Sequence, residues 1–81
     1  MGKHEKVKEQ VCSGKSNANI DFDDLCKLVR ALGFQERTKG SHHIFSKSEV
    51  REIINLQPDR NGAAKSYQVR QVRSIILHYG L

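Results

Sequence analysis

After Asp59 the chain carries no acidic residue, although Arg60, Lys65, Arg70 and Arg73 follow. The net charge of +5 is therefore lopsided. Residues 1–34 hold six Lys/Arg against five Asp/Glu, and residues 35–81 hold eight against four. Positive charge gathered without counter-charges points to a polyanionic partner, of which nucleic acid is the commonest. A solvated basic surface is the plain alternative, and charge alone does not separate the two.

Cysteine is scarce as well. Cys12 and Cys26 form no C-x-x-C pair, and with His4 and His78 they make no zinc pattern. A disulfide framework is not expected, which suits a reducing cytosol. No apolar run approaches the ~20 residues of a membrane span. The start, Met1-Gly2-Lys3-His4-Glu5-Lys6, is too charged for a signal peptide, and Lys6 breaks the myristoylation pattern. The expectation is a cytoplasmic protein without membrane attachment. A Gly-rich phosphate loop, a Ser-His-Asp set and a paired carboxylate in an apolar frame are all missing, and no cofactor or metal is expected.

Eighty-one residues allow one compact domain. Lys3 to about Ser13 reads as a short helix with only Val7 and Val11 apolar at i,i+4, and Gly14 to Asn19 as a loop, so residues 1–20 form an N-terminal arm and 21–81 the domain proper. Asp21 caps a stronger helix, Phe22 to Leu32. At 100° per residue, Phe22, Leu25, Cys26, Leu28, Val29 and Leu32 share one face of it, and Gly33 ends it. Phe34 to Lys39, His42 to Ser46 and Val50 to Gln57 read as three strands joined by short turns, hence an antiparallel meander that Pro58 stops. Ser66 is the expected N-cap of a last helix, Tyr67 to Tyr79, with Val69, Val72, Ile75, Ile76 and Tyr79 buried, Arg70 facing away and Arg73 on the flank. Two amphipathic helices cover one face of a three-stranded sheet and leave the other open. The fold class is α+β: an α-β-β-β-α core like that of the double-stranded-RNA-binding domain, with an extra N-terminal helix.

An amphipathic helix ending Leu32-Gly33-Phe34, a basic strand, then Lys39-Gly40-Ser41-His42-His43-Ile44-Phe45 resembles the HicA (YcfA-like) toxins of bacterial toxin–antitoxin pairs. The likeness runs from about Phe22 to Leu81. It implies an mRNA interferase of this fold, an endoribonuclease that cleaves mRNA without a metal and is held inactive by a HicB-type antitoxin protein. Single-stranded mRNA is the expected substrate, because an A-form duplex holds its 2′-hydroxyl out of line for attack. By position the family's catalytic histidine falls on His42. The family often has Pro-x-His after the third strand, whereas Pro58 here is followed by Asp59 and Arg60. That departure leaves the second catalytic group open.

The residues suit such chemistry. A 2′-hydroxyl attacks its own phosphate once a proton is removed from it and another is supplied to the leaving 5′-oxygen, and an imidazole of ordinary pKa ~6.5 serves both tasks near neutrality. Arg37, Lys39 and Lys47, expected close to His42, would offset charge on the phosphate. Ser41 in the turn, with Arg70 and Arg73 on the last helix, completes the expected RNA-binding set. Neighbours on a strand point to opposite faces, so His42 is expected outward with Ile44, and His43 inward with Phe45. His42 then acts without His43, and its partner acid is Lys39, Tyr67 or solvent. The competing readings are a non-catalytic RNA-binding module and an antitoxin-binding module of the same fold. Without the family likeness, a lone strand histidine reads as an ordinary surface residue.

Overall fold

A computed structural model describes residues 3–14 and 20–81, with side chains from Glu5 onward; of the loop expected at Gly14 to Asn19, residues 15–19 lie outside the described residues. The elements run α1 (Lys3–Ser13), α2 (Phe22–Ala31), β1 (Gln35–Lys39), β2 (His42–Lys47), β3 (Val50–Leu56) and α3 (Ser66–Tyr79). The sheet is antiparallel in the order β1-β2-β3. This is the α-β-β-β-α core, preceded by one helix.

Helix α2 forms where its pattern requires. The Asp21 carboxylate accepts from the Asp24 backbone N–H at 3.2 Å, satisfying one of the first-turn donors that have no helical partner. Phe22, Leu25, Cys26, Leu28 and Val29 are buried on one face, and Leu32 is the C-cap. Gly33 follows at φ +98°, a conformation few other residues adopt, and it lets the chain turn at once into the sheet. The strand consequently begins at Gln35 rather than Phe34, whose ring is buried beneath the junction.

One further expectation shifts. Lys65, not Ser66, is the N-cap of α3, and no side chain caps that end. The chain leading into that end is held by tertiary contacts: Phe22 N–H donates to the Gly62 carbonyl and Ala64 N–H to that of Ile20, pinning the connector before α3 onto the start of α2. At its other end α3 is fastened by Tyr79, whose hydroxyl donates to Glu52 Oε1 at 2.6 Å on the third strand.

The core lies between the helices and one sheet face. Phe45, Ile54 and Leu56 meet α2 and the Val69, Val72, Ile75 and Ile76 stripe of α3. Val7 and Val11 of α1 belong to the same cluster, because α1 packs against both α2 and α3. All three helices thus sit on one side, and among the described residues no element covers the opposite sheet face. Among the described residues no helix is long and apolar enough to cross a membrane.

With Val11 fully buried, Val11→Ala should lower unfolding free energy by about 1–3 kcal/mol, whereas Lys6→Ala on the exposed side should stay within about 0.5 kcal/mol. Urea denaturation measures both. Equal midpoints would mean that α1 is not part of the core.

Candidate active site

The first hairpin decides where the two histidines go. Lys39 pairs with His42, so Gly40-Ser41 is a two-residue loop. Gly40 has φ +61° while Ser41, like every described non-glycine residue, does not have positive φ, the pattern of a type II′ turn. That turn fixes the register, and the register fixes the faces. Glu36, Phe45 and Ile54 stand opposite one another on the helix side, as do Thr38, His43 and Leu56. His42, Ile44 and Asn55 point the other way, with Arg37 and Lys39, as the alternation requires.

His43 is bound into the helix side. Its Nδ1 donates to Glu36 Oε2 at 2.6 Å, and its ring meets Phe22 edge-on with centroids 5.1 Å apart. Glu36 also accepts from Arg30 at both oxygens, at 2.6 and 3.1 Å. The Arg30 guanidinium first, and the His43 imidazole after it, hold the Glu36 carboxyl below its ordinary range. Cys26 completes a cluster: its sulfur, a Glu36 oxygen and a His43 nitrogen lie within 4.8 Å of one another. No spacing in the sequence announced this set, because its members come from α2, β1 and β2. Arg30 already occupies both carboxylate oxygens, and burial pushes the Cys26 thiol up to about 12, so the cluster reads as a tie between helix and sheet.

His42 is exposed on the open face. It lines a shallow depression of about 390 Å³ with Lys39, Gly40, Ile44 and Asn55. Its Nδ1 lies 3.0 Å from Asn55 Oδ1, a diagonal reach across the β2–β3 pair. Lys39 is its cross-strand partner, and Arg37 is the next outward residue along β1. Ser41 Oγ accepts from Gln57 Nε2 at 3.0 Å. The Gln57 backbone N–H donates to buried Gln68 Oε1 at 3.3 Å, and Gln68 Nε2 donates to the Tyr67 hydroxyl at 3.4 Å. The turn before His42 is thereby linked to the start of α3.

The expected site assembles in part. Arg37, Lys39, Ser41 and His42 come together. Lys47 does not: it lies at the far end of β2, roughly 16 Å along the strand. There its Nζ pairs with Glu49 at 3.3 Å and sits over Gly33 at the carboxyl end of α2, where a cation is favoured by the helix dipole. Proximity in sequence stood in for proximity in space, and the strand's length undid it. Arg70 is exposed on α3, and Arg73 packs its guanidinium toward Gly14, so neither belongs to the sheet face that carries His42. Asn55, Gln57 and Gln68 escaped the sequence reading. The alternation of Ile54 and Leu56 with Asn55 was the signal that could have placed Asn55 beside His42.

Fold and site together define a small α+β domain that offers one exposed imidazole, with cations beside it, on a bare sheet. The model of the HicA toxin family of bacterial toxin–antitoxin systems matches residues 22–78, and the chain belongs to that family. No curated protein and no solved structure matches significantly.

Because the folded Glu36 pKa lies below the ordinary 4.5, the stability its ion pairs contribute is present above that pH and lost as pH falls through the folded value. The groups are partly exposed and screened, so Glu36→Gln should cost only about 1 kcal/mol at pH 7. By pH 3 the gap to wild type should have narrowed. Urea unfolding at the two pH values tests this, and a gap that is the same or larger at pH 3 would contradict it.

Proposed function

We propose that the protein is the toxin of a toxin–antitoxin pair, acting as an endoribonuclease on single-stranded mRNA, with His42 as its proton-transfer group. The observation that carries this reading is the position of that imidazole: outward, reachable and flanked by Lys39 and Arg37, on the one sheet face the helices leave bare. RNA brings its own nucleophile, so the reaction needs no metal. The imidazole takes the proton of the 2′-hydroxyl, the 2′-oxygen bonds to phosphorus, and the bond to the 5′-oxygen breaks. A proton then reaches that oxygen from Lys39 or solvent, which leaves a 2′,3′-cyclic phosphate and a 5′-hydroxyl. Lys39 and Arg37 offset the charge that gathers on the phosphoryl oxygens. Ser41, the turn residue beside His42, is a further contact for the RNA backbone. Of the remaining cations, Arg70 and Arg73 are better suited to an outlying stretch of RNA or to the antitoxin, and Lys47 is too distant to touch the same phosphate.

Substrate geometry favours a single strand. An A-form duplex holds each 2′-hydroxyl out of line with its leaving oxygen, whereas a flexible strand on an open sheet can rotate into line. Ile44 and Ile53, the latter 60% exposed, give that face an apolar floor for bases while the basic residues track the phosphates. A HicB-type antitoxin that brings acidic groups to Arg37 and Lys39 would cover the same surface. Such a pair works in the cytoplasm, where its mRNA target lies.

Purified wild-type protein should cleave a single-stranded RNA, and His42→Ala should lose about 10²–10⁴-fold in rate while still binding it. His43→Gln should retain cleavage if the fold holds, since its ring faces the helices. Cleavage by His42→Ala at the wild-type rate would remove the enzyme reading. Salt-sensitive binding without any strand scission by the wild type would leave an RNA-binding module instead.

A further inference from the structure

The contact between His42 and Asn55 goes beyond the choice of catalyst, because it selects which nitrogen of the ring does the work. A carboxamide oxygen can only accept a hydrogen bond. The 3.0 Å approach of Asn55 Oδ1 to His42 Nδ1 is a hydrogen bond only when Nδ1 carries the hydrogen, and in the neutral ring Nε2 is then the bare, basic nitrogen. We infer that Asn55 is a positioning residue that holds His42 as its Nδ1–H tautomer and leaves Nε2 to take the proton of the 2′-hydroxyl. The inference rests on the reading of His42 given above.

The geometry has a built quality although both side chains are exposed. Asn55 pairs with Ile44 in the β2–β3 ladder, so the backbone register sets its side chain on the diagonal to His42. His42 in turn is set by the two-residue loop at Gly40-Ser41. Neither end of the bond depends on a long flexible side chain. An amide oxygen accepts from Nδ1–H both before and after Nε2 is protonated, so the ring need not turn during the reaction. The charged groups that face the ring are Lys39 and, one pair along, Arg37, both on β1, while β3 presents neutral Asn55. A carboxylate at position 55 would keep the acceptor and add a charge that favours the imidazolium. The neutral amide orients the ring without that pull.

The test uses the whole protein. In RNA-free wild type, ¹⁵N NMR of the His42 ring above its titration should show protonated Nδ1 and bare Nε2, and Asn55→Val should lose that preference. In cleavage assays Asn55→Val should lower kcat by about tenfold to a hundredfold with KM little changed. Asn55→Asp should restore the plateau rate and move the acid limb of the pH–rate profile upward by about one unit. Circular dichroism of both variants checks that the fold is kept. A wild-type ring protonated on Nε2, or an Asn55→Val ring with the wild-type tautomer, would overturn the inference. So would an Asn55→Val variant with wild-type kcat. A wild type that cleaves no RNA would defeat the nuclease reading itself, and the tautomer spectrum would still judge the Asn55 contact on its own.

Discussion

The period-two alternation of a β-strand is the constraint on which everything else rests. Two adjacent histidines cannot share a face of β2, so one is given to the core side and the other to solvent. Which goes where follows from the register set by the Gly40-Ser41 turn, which puts His43 on the helix side, where its ring is held by Glu36 and Phe22, with Arg30 of α2 gripping the same carboxylate. A slip of one residue would bury His42 and expose Phe45 as well as His43. The helix–sheet tie and the exposed imidazole are thus two consequences of one register.

Much of this could be read from the sequence because each part had a local cause. The faces of α2 and α3, the Asp21 cap, the Gly33 stop and the Gly40-Ser41 turn follow from neighbours a few residues apart, and so does the outward placement of His42. What could not be read depends on distant residues meeting. Glu36 and Arg30 belong to different elements, and no periodicity says that they share a carboxylate–guanidinium pair with His43. Asn55 and His42 are thirteen residues apart and meet only through the register of the second hairpin, which also contains an irregularity between Phe45 and Lys47. Lys47 was misplaced for the same reason: a charge near a motif in sequence is not near it along an extended strand.

The site is spare. It has one imidazole, two cations on the neighbouring strand, an amide 3.0 Å from the ring and a shallow depression of about 390 Å³ on an otherwise open sheet. Such an arrangement has little with which to grip one base in preference to another. Under the proposed function, affinity would come chiefly from phosphates and from the apolar floor, and specificity from the shape of a flexible strand. Restraint would have to come from outside, since nothing on the described surface covers His42. Membership of a toxin–antitoxin family fits that need, because the same exposed face can serve both the substrate and a protein that blocks it.

The most direct test of the central claim is the chemistry of the cut ends. Mass spectrometry of a short RNA cleaved by the purified protein should find a 2′,3′-cyclic phosphate on one fragment and a 5′-hydroxyl on the other. The same strand with a single 2′-deoxy nucleotide at the cut should survive intact. Fragments ending in a 3′-hydroxyl and a 5′-phosphate, or scission at the deoxy position, would show that water rather than the 2′-oxygen attacks phosphorus, and would contradict the account.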